Sequence, residues 1–360
     1  MIKILHMVYS GVGGTSAVVF SLIEADKKKL NHSIIFSGPE FIKDYKNKCK
    51  KLKINYNWIK TKKFIYFISF FLIFKNIKKF KPNVIFIHNF YAVHCIFYKF
   101  FFPNVKLFYI NHTPLNLIKW KDKIIKYFHK HFDKIIFLNK ESLIYFKKKF
   151  NLISKNTCLI TNGINHDFFS RNLHNDKKTK NFRIGMACRV NRSKYYDLIA
   201  NSLNSNVLKK LNIEFQLAGD GEDLSNFRIR IKKTGLQNKI KIIGYLNEIK
   251  LREWYKTLDL YIQASAGEGM SISLLQAMSM EVPVIGSRVS GINNILGKSY
   301  IGLLFNNNVR DLSEKIKFFY FLNKDEKKKF SRCQRKYVIF KHSYKRMFEK
   351  YFLEIKSTIK

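Results

Sequence analysis

Short apolar runs rich in β-branched and aromatic residues alternate along this chain with longer mixed segments. That alternation is the signature of a parallel sheet covered by helices on both faces. In the first part, residues 2–9, 33–36, 84–88, 106–111, 134–138 and 157–160 read as strands, with helices expected over 15–25, 67–80 and 140–149. A polar stretch without periodicity follows, and strands resume at 183–187, 214–218, 239–243, 260–263, 284–287 and 302–305. The expected architecture is α/β, with two doubly wound Rossmann-like domains facing a cleft. Domain one covers 1–167, a linker 168–181, domain two 182–335, and a closing helix over 336–360 packs back on the first domain. In open sheets of this kind ligands sit at the carboxyl ends of the strands, so the loops after strands are where chemistry is sought.

Composition narrows the picture. A chain of 360 residues exceeds what one hydrophobic core usually organises, and a hydrophobic fraction of 46% supplies two. The five cysteines, Cys49, Cys95, Cys158, Cys188 and Cys333, are scattered and form no CxxC, which argues against a disulfide framework or a zinc site and for a reducing compartment. The first residues read as a buried strand running into glycines, not as a signal peptide. The longest apolar run, 64–74, is about half of the ~20 residues a spanning helix needs. A cytoplasmic protein is expected.

The net charge of +42 asks for a partner or a cause. Residues 1–166 carry 30 Lys, no Arg and 7 acidic residues, so the excess is spread over the chain and marks no single patch. Lys, Asn, Ile and Phe are abundant together while Arg and Pro are sparse, as A/T-rich codons would give. Whatever its origin, such a surface is drawn to anionic lipid at about 1 kcal/mol per basic residue near the membrane, and an anionic membrane surface is an expected partner. The aromatics and lysines of 58–81 suit the bilayer interface. The same segment also reads as a helix packed on the sheet, with only its lysine-bearing ends exposed. No RRM, KH or zinc signature is present, so no specific nucleic-acid partner is expected.

Two loops carry chemistry. Gly11-Val12-Gly13-Gly14 follows the first strand and opens a helix, where backbone N–H groups can approach a phosphate or an acceptor. A dinucleotide fingerprint needs a third glycine where Ser16 stands. The second loop, Ser265-Ala266-Gly267-Glu268-Gly269-Met270-Ser271, follows an apolar strand and leads into a helix. A carboxylate on a Gly-flanked turn can accept sugar hydroxyls while the helix start faces a diphosphate. Gln276, eight residues after Glu268, is expected on nearly the same helical face.

This segment resembles the E-x7-E motif of retaining glycosyltransferases with the GT-B fold, especially family 4. The likeness extends over Gly11–Gly14, Thr161-Asn162-Gly163-Ile164-Asn165, Leu217-Ala218-Gly219-Asp220-Gly221, Val282-Pro283-Val284, Ser290-Gly291-Ile292 and His342-Ser343-Tyr344. It implies an acceptor-side first domain and a second domain that binds a nucleotide-sugar donor, with a glycan or lipid-linked acceptor as the other partner. Glu268 matches the glutamate facing the donor sugar, and Gly269, Met270 and Ser271 continue its donor-binding turn. Arg189 and Lys194 match the Arg and Lys, five apart, that bind the donor diphosphate. His112 matches the histidine beside the reacting sugar; His88 is a second histidine at a strand end. Gln276 stands where the second glutamate, the ribose ligand, is usual. Tyr195, Arg288 and Asn294 also depart from the pattern.

The expected activity is retaining transfer of a sugar, of the hexosyl type, from a nucleoside diphosphate sugar to a hydroxyl acceptor in surface polysaccharide or lipid-linked glycan synthesis. The alternatives are a nucleotide-sugar epimerase of the same architecture and a non-catalytic basic polyanion-binding protein. No metal and no cofactor are expected: the remaining histidines show no ligand spacing, and Asp220-Gly221-Glu222-Asp223 reads as a polar turn.

Overall fold

The computed structural model describes residues 1–61, 66–88, 92–112, 121–171, 181–297 and 303–359. Most of the expected linker, 172–180, lies outside them. The chain divides into two compact units, Met1–Gly163 with Tyr344–Lys360, and Ile164–Ser343. The junctions therefore fall at Gly163/Ile164 and Ser343/Tyr344, where the expected domain ends were 167 and 335.

In the first unit the chain runs β1 (Ile2–Tyr9), α1 (Gly14–Ala25), β2 (Leu30–Gly38), α2 (Lys43–Lys51), β3 (Asn55–Lys60), α3 (Tyr66–Phe80), β4 (Val84–Ile87) and α4 (Ala92–Phe101). It continues through β5 (Lys106–Asn111), α5 (Lys121–Phe128), β6 (Lys134–Phe137), α6 (Lys140–Phe150) and β7 (Thr157–Leu159). Among the described residues these strands form one parallel sheet in the order β3-β2-β1-β4-β5-β6-β7. Its strands are apolar almost throughout because both faces are covered. Leu5, Met7, Ile35, Ile85 and Leu107 pack on one face. Val8, Ile34 and Phe36 pack with Val19 and Phe20 of α1 on the other.

Strand β3 is absent from the sequence reading. It is an edge strand whose Asn55, Asn57 and Lys60 break the apolar pattern, and edge strands tolerate such residues because one side meets solvent. Helix α3 buries Ile73 and Ile77, yet Phe71 is 60% exposed, so exposure on this segment is not confined to its lysine-bearing ends. The last helix, α14 (Tyr344–Ile359), belongs to this unit and buries Tyr344, Met347, Phe348, Tyr351 and Ile355. That spacing is one helical stripe, and burying such side chains stabilises by roughly 1.5–3 kcal/mol each as an upper figure.

In the second unit the elements are β8 (Phe182–Ala187), α7 (Tyr196–Leu203), β9 (Ile213–Ala218), α8 (Leu224–Lys233), β10 (Ile240–Gly244), α9 (Glu248–Lys256) and β11 (Leu260–Gln263). They are followed by α10 (Ile272–Ser279), β12 (Val284–Ser287), α11 (Ser290–Leu296), β13 (Leu303–Phe305), α12 (Val309–Phe321) and α13 (Lys324–Lys341). The described strands pair in parallel in the order β10-β9-β8-β11-β12-β13. Each sheet reverses its strand order once, at β1/β4 and at β8/β11. In open sheets of this kind the carboxyl ends of the strands flanking such a reversal are where ligands are generally bound. No described helix is long and apolar enough to cross a membrane.

Candidate active site

The loop after β8 is shaped by glycines in its neighbour. Gly219 has φ +135°, and a Cβ there would lie 1.9 Å from the Cys188 carbonyl oxygen. At Gly221 a Cβ would lie 2.2 Å from the Val190 oxygen. With no side chains in the way, the two loops lie backbone to backbone: Cys188 N–H donates to Ala218 O at 3.0 Å and Val190 N–H to Asp220 O at 2.9 Å. Gly219 is therefore required for both conformation and space. The contact fixes Arg189, whose guanidinium lies 3.5 Å from the exposed Glu222 carboxylate. Cys188, tucked beneath, has its thiol pushed up to about 12 by burial, with smaller opposed effects of Lys194 and Glu268.

Beyond Arg189 the chain makes a turn closed by Lys194 N–H to Asn191 O at 3.0 Å, and the Asn191 side chain accepts from Ser193 Oγ at 2.7 Å. Helix α7 then starts at Tyr196. Its base is held by buried Asp223, which accepts from Tyr196 Oη at 2.5 Å and from the Arg230 guanidinium at 2.6 Å. The Arg230 bond, against the opposing cost of burial, brings the Asp223 carboxyl down to about 2. Asp223 is thus structural. Among the described residues no three His, Cys, Asp or Glu side chains converge as a metal site would need.

The turn after β11 carries Glu268. Ser265 anchors it: its N–H donates to Ser287 Oγ at 3.0 Å, its Oγ to Gly267 O at 2.9 Å, and its carbonyl accepts from Asn307 at 3.2 Å. Ala266 N–H reaches back to Ser193 O at 2.8 Å, tying this turn to the Lys194 loop. Gly291, at the start of α11, sits so close that a Cβ there would be 2.1 Å from Glu268 O. Within this frame the Lys194 ammonium donates to Glu268 Oε1, which also accepts from Gln263 Nε2 at 3.0 Å. Gln263 is buried and its own oxygen accepts from Tyr261 Oη, Ser271 Oγ and Ser273 Oγ at 2.9–3.2 Å.

One sequence expectation is corrected here. Helix α10 starts at Ile272, capped by Ser271, whose Oγ accepts from Leu274 N–H at 3.3 Å. Glu268 therefore precedes the helix, and Gln276 does not share a helical face with it. The two glycines of the turn and the Ser271 cap delay helix entry past Glu268. Gln276 is 4% exposed, with its oxygen 3.5 Å from Tyr255 Oη. Gly269, Met270 and Ser271 are likewise buried.

In the first unit, Gly11, Gly13 and Gly14 join β1 to α1 with no side-chain cap at Gly13. His112 follows β5, and its Nε2 lies 3.2 Å from His88 Nδ1; burial brings the His112 imidazole down to about 4. Sequence reasoning missed Gln263, and it named Ser265 and Gly291 only as members of their motifs, without the anchoring and close-approach roles seen here. The one available signal was a glutamine closing the otherwise apolar run Leu260-Tyr261-Ile262.

Two family models match nearly end to end: Glycosyltransferase Family 4 over residues 12–168 and Glycosyl transferases group 1 over residues 170–337. The chain belongs to the GT-B glycosyltransferases, resembling family 4. The fold of this glycosyltransferase is similar to that of the Anabaena protein HepE, solved in complex with UDP and glucose. That match has a TM-score of 0.83 at 14% identity, over 99% of this chain and 100% of the other. In sequence it is 28% identical over 171 residues to Protein CapJ of Staphylococcus aureus, 45% of this chain and 42% of CapJ. It is 26% identical over 164 residues to the O-antigen biosynthesis glycosyltransferase WclY of Escherichia coli, 44% of each chain. The chain spans about half the length of the curated relatives it matches. The first model's match begins at residue 12, inside the Gly11–Gly14 loop, and Arg189, Lys194 and Glu268 lie within the second's.

Proposed function

We propose that this glycosyltransferase is a retaining enzyme that moves a hexosyl group from a nucleoside diphosphate sugar to a hydroxyl acceptor. The observation that carries the reading is the Lys194–Glu268–Gln263 constellation at the carboxyl ends of β8 and β11, with Arg189 on the same loop as Lys194. A cation held against a carboxylate is poised to exchange partners: when a diphosphate enters, Lys194 and Arg189 neutralise it and Glu268 is released to accept sugar hydroxyls. The backbone of Gly269, Met270 and Ser271 and the start of α10 add donors to the phosphates, and Gln276 meets the ribose diol. As the bond from the anomeric carbon to the diphosphate breaks, the acceptor oxygen bonds on the same face and its proton passes to the leaving phosphate. Two side-chain cations supply the charge neutralisation, so the reaction needs no metal. His112 assists at the sugar.

The acceptor class is a growing surface polysaccharide or lipid-linked glycan. WclY's name in O-antigen synthesis supports this, as does a lysine-rich surface suited to anionic lipid at the inner face of the membrane. The HepE complex with UDP supports a uridine donor among others. A thermal-shift panel of UDP-, GDP-, ADP- and CMP-linked sugars on wild type and Glu268→Ala tests the reading. At least one nucleoside diphosphate or its sugar conjugate raises the wild-type Tm, and the sugar-dependent increment is lost in Glu268→Ala. A wild type that none of them stabilises ends the proposal.

A further inference from the structure

Four histidines of the first unit stand in one bonded line beginning at a carboxylate. Asp26 Oδ2 is 3.1 Å from His32 Nε2, His32 Nδ1 is 3.0 Å from His6 Nε2, His6 Nδ1 is 3.4 Å from His88 Nε2, and His88 Nδ1 is 3.2 Å from His112 Nε2. Strand register explains the alignment. His32 pairs at the level of Ile4, two residues behind His6; Phe86 is level with His6, so His88 lies two ahead; Ile87 is level with Tyr109, so His112 lies two beyond the level of His88. Residues two apart share a face, so the line crosses β2, β1, β4 and β5 diagonally on one side of the sheet. Successive rings lie 5.3–5.7 Å apart and within 33° of parallel, as edge-to-edge N–H···N bonding requires. His6, His32 and His88 are buried, and Phe86 closes over His6 edge-on.

The carboxylate gives the line a direction. Asp26, at the end of α1, also accepts from the backbone N–H groups of Lys29 at 2.8 Å and Leu30 at 3.0 Å. Burial raises its carboxyl, but these bonds and that from His32 outweigh it, so the net shift is downward and Asp26 is ionised. An ionised Asp26 accepts a hydrogen from His32 Nε2. A neutral imidazole has one donor and one acceptor nitrogen, so His32 Nδ1 then accepts from His6 Nε2–H, His6 Nδ1 from His88 Nε2–H, and His88 Nδ1 from His112 Nε2–H. The outer nitrogen of His112, Nδ1, is left as an acceptor.

We propose that Asp26, His32, His6 and His88 are positioning residues that fix the tautomer of His112 and carry a proton taken up at His112 Nδ1 to an imidazolium at His32. The relay balances. A proton binds His112 Nδ1, His112 Nε2–H passes its proton to His88 Nδ1, His88 Nε2–H to His6 Nδ1, and His6 Nε2–H to His32 Nδ1. His32 keeps its Nε2–H on Asp26, and one positive charge rests beside one carboxylate. His6, His88 and His112 resist holding that charge themselves. Burial holds His6 and His88 well below the usual histidine range, with His32 and His88 lowering His6 further and His112 lowering His88, and holds His112 at about 4. Asp26 faces His32 at the far end of the line.

The consequence for catalysis rests on the reading of His112 as facing the donor sugar. Unloaded, the line offers that sugar an acceptor; loaded, each of the three histidine–histidine bonds reverses, the Asp26–His32 bond is kept, and His112 Nδ1 becomes a donor. The acid limb of kcat then reports a macroscopic pKa of the whole line.

The test uses the full chain labelled with 15N-histidine. Long-range 1H–15N spectra at pH 7.5 show His6, His88 and His112 as Nε2–H tautomers in the wild type. His6→Phe preserves ring volume and cuts the line, giving His112 a tautomer mixture and moving the acid limb of kcat down by about one unit, since the carboxylate no longer assists protonation. Asp26→Asn is the second variant, read in the same way. An Nδ1–H tautomer at His112 in the wild type, or spectra and acid limb unaltered in both variants, overturns the proposal. The tautomer measurement needs no substrate. A chain with the expected tautomers that transfers no sugar defeats the transferase reading alone, whereas wrong tautomers in an active enzyme defeat only the relay.

Discussion

Lys194 donates its ammonium hydrogen to Glu268 Oε1, joining the loop after β8 to the turn after β11. The two side chains are 17% and 12% exposed, so each charge depends on the other. Removing one partner strands its mate, while removing both does not. Glu268→Gln and Lys194→Met are each expected to cost about 2–3 kcal/mol. The double variant costs less than the sum, as urea denaturation in a double-mutant cycle will show. All three lose the Tm shift produced by a sugar nucleotide. Strictly additive single effects would mean that the pair is not coupled.

The glycines around this pair differ in what they must avoid, which makes them separable. At Gly219 an added Cβ meets the Cys188 carbonyl at 1.9 Å in a left-handed backbone, and at Gly291 it meets Glu268 O at 2.1 Å. Both neighbours are backbone and cannot swing aside. Gly219→Ala is expected to cost about 3 kcal/mol or more. Gly291→Ala displaces the Glu268 turn and weakens nucleotide binding more than it lowers Tm. Gly13 has an extended backbone with nothing within 4 Å of an added Cβ, so Gly13→Ala stays within about 0.5 kcal/mol of wild type.

The contrast between β1 and β3 shows what the sequence could disclose. Residues 2–9 were legible as a strand because a doubly covered parallel strand is mostly apolar, whereas Asn55, Asn57 and Lys60 of the edge strand hide in polar sequence. Glu268 was singled out as a carboxylate on a Gly-flanked turn, and Arg189 and Lys194 through the resemblance to the family's Arg and Lys pair. Gln263 was not, and Gly291 was noted only as part of a motif, because their importance lies in what they touch. His6 and His32 were invisible for the same reason: only strand register aligns them with His88 and His112. The end of the Glu268 turn was misread because the Ser271 cap, not the sequence spacing, decides where α10 begins.

Asp223 gives the second unit an acid sensitivity with a definite sign. Its carboxyl is held at about 2, first by the Arg230 bond against the cost of burial, below the ordinary aspartate value it regains on unfolding. The unfolded chain thus binds the proton more readily. The stabilisation is fully present above about pH 4 and is lost as pH falls toward 2. Urea midpoints measured from pH 5 downward should fall steeply for wild type in that window and less steeply for Arg230→Met. Equal slopes would remove Asp223 as a source of acid lability.

Gln276 offers the sharpest test of how donor binding is divided along α10. It is buried, with its oxygen 3.5 Å from Tyr255 Oη, at the position where the resemblance implies a glutamate and where we propose that the ribose is met. A carboxylate there is costly in the empty protein, because desolvation penalises its charge, and advantageous once a ribose diol donates to it. Gln276→Glu should therefore lower the Tm of the ligand-free protein at neutral pH, and less so at pH 5, where the buried carboxyl is more readily protonated. A charge-assisted bond exceeds a neutral one by about 1 kcal/mol, so calorimetry should find the nucleoside diphosphate bound roughly fivefold more tightly. If Tm falls but affinity is unchanged, the ribose lies elsewhere. If neither changes, Gln276 faces no ligand, and the donor is held by Arg189, Lys194 and the Glu268 turn alone.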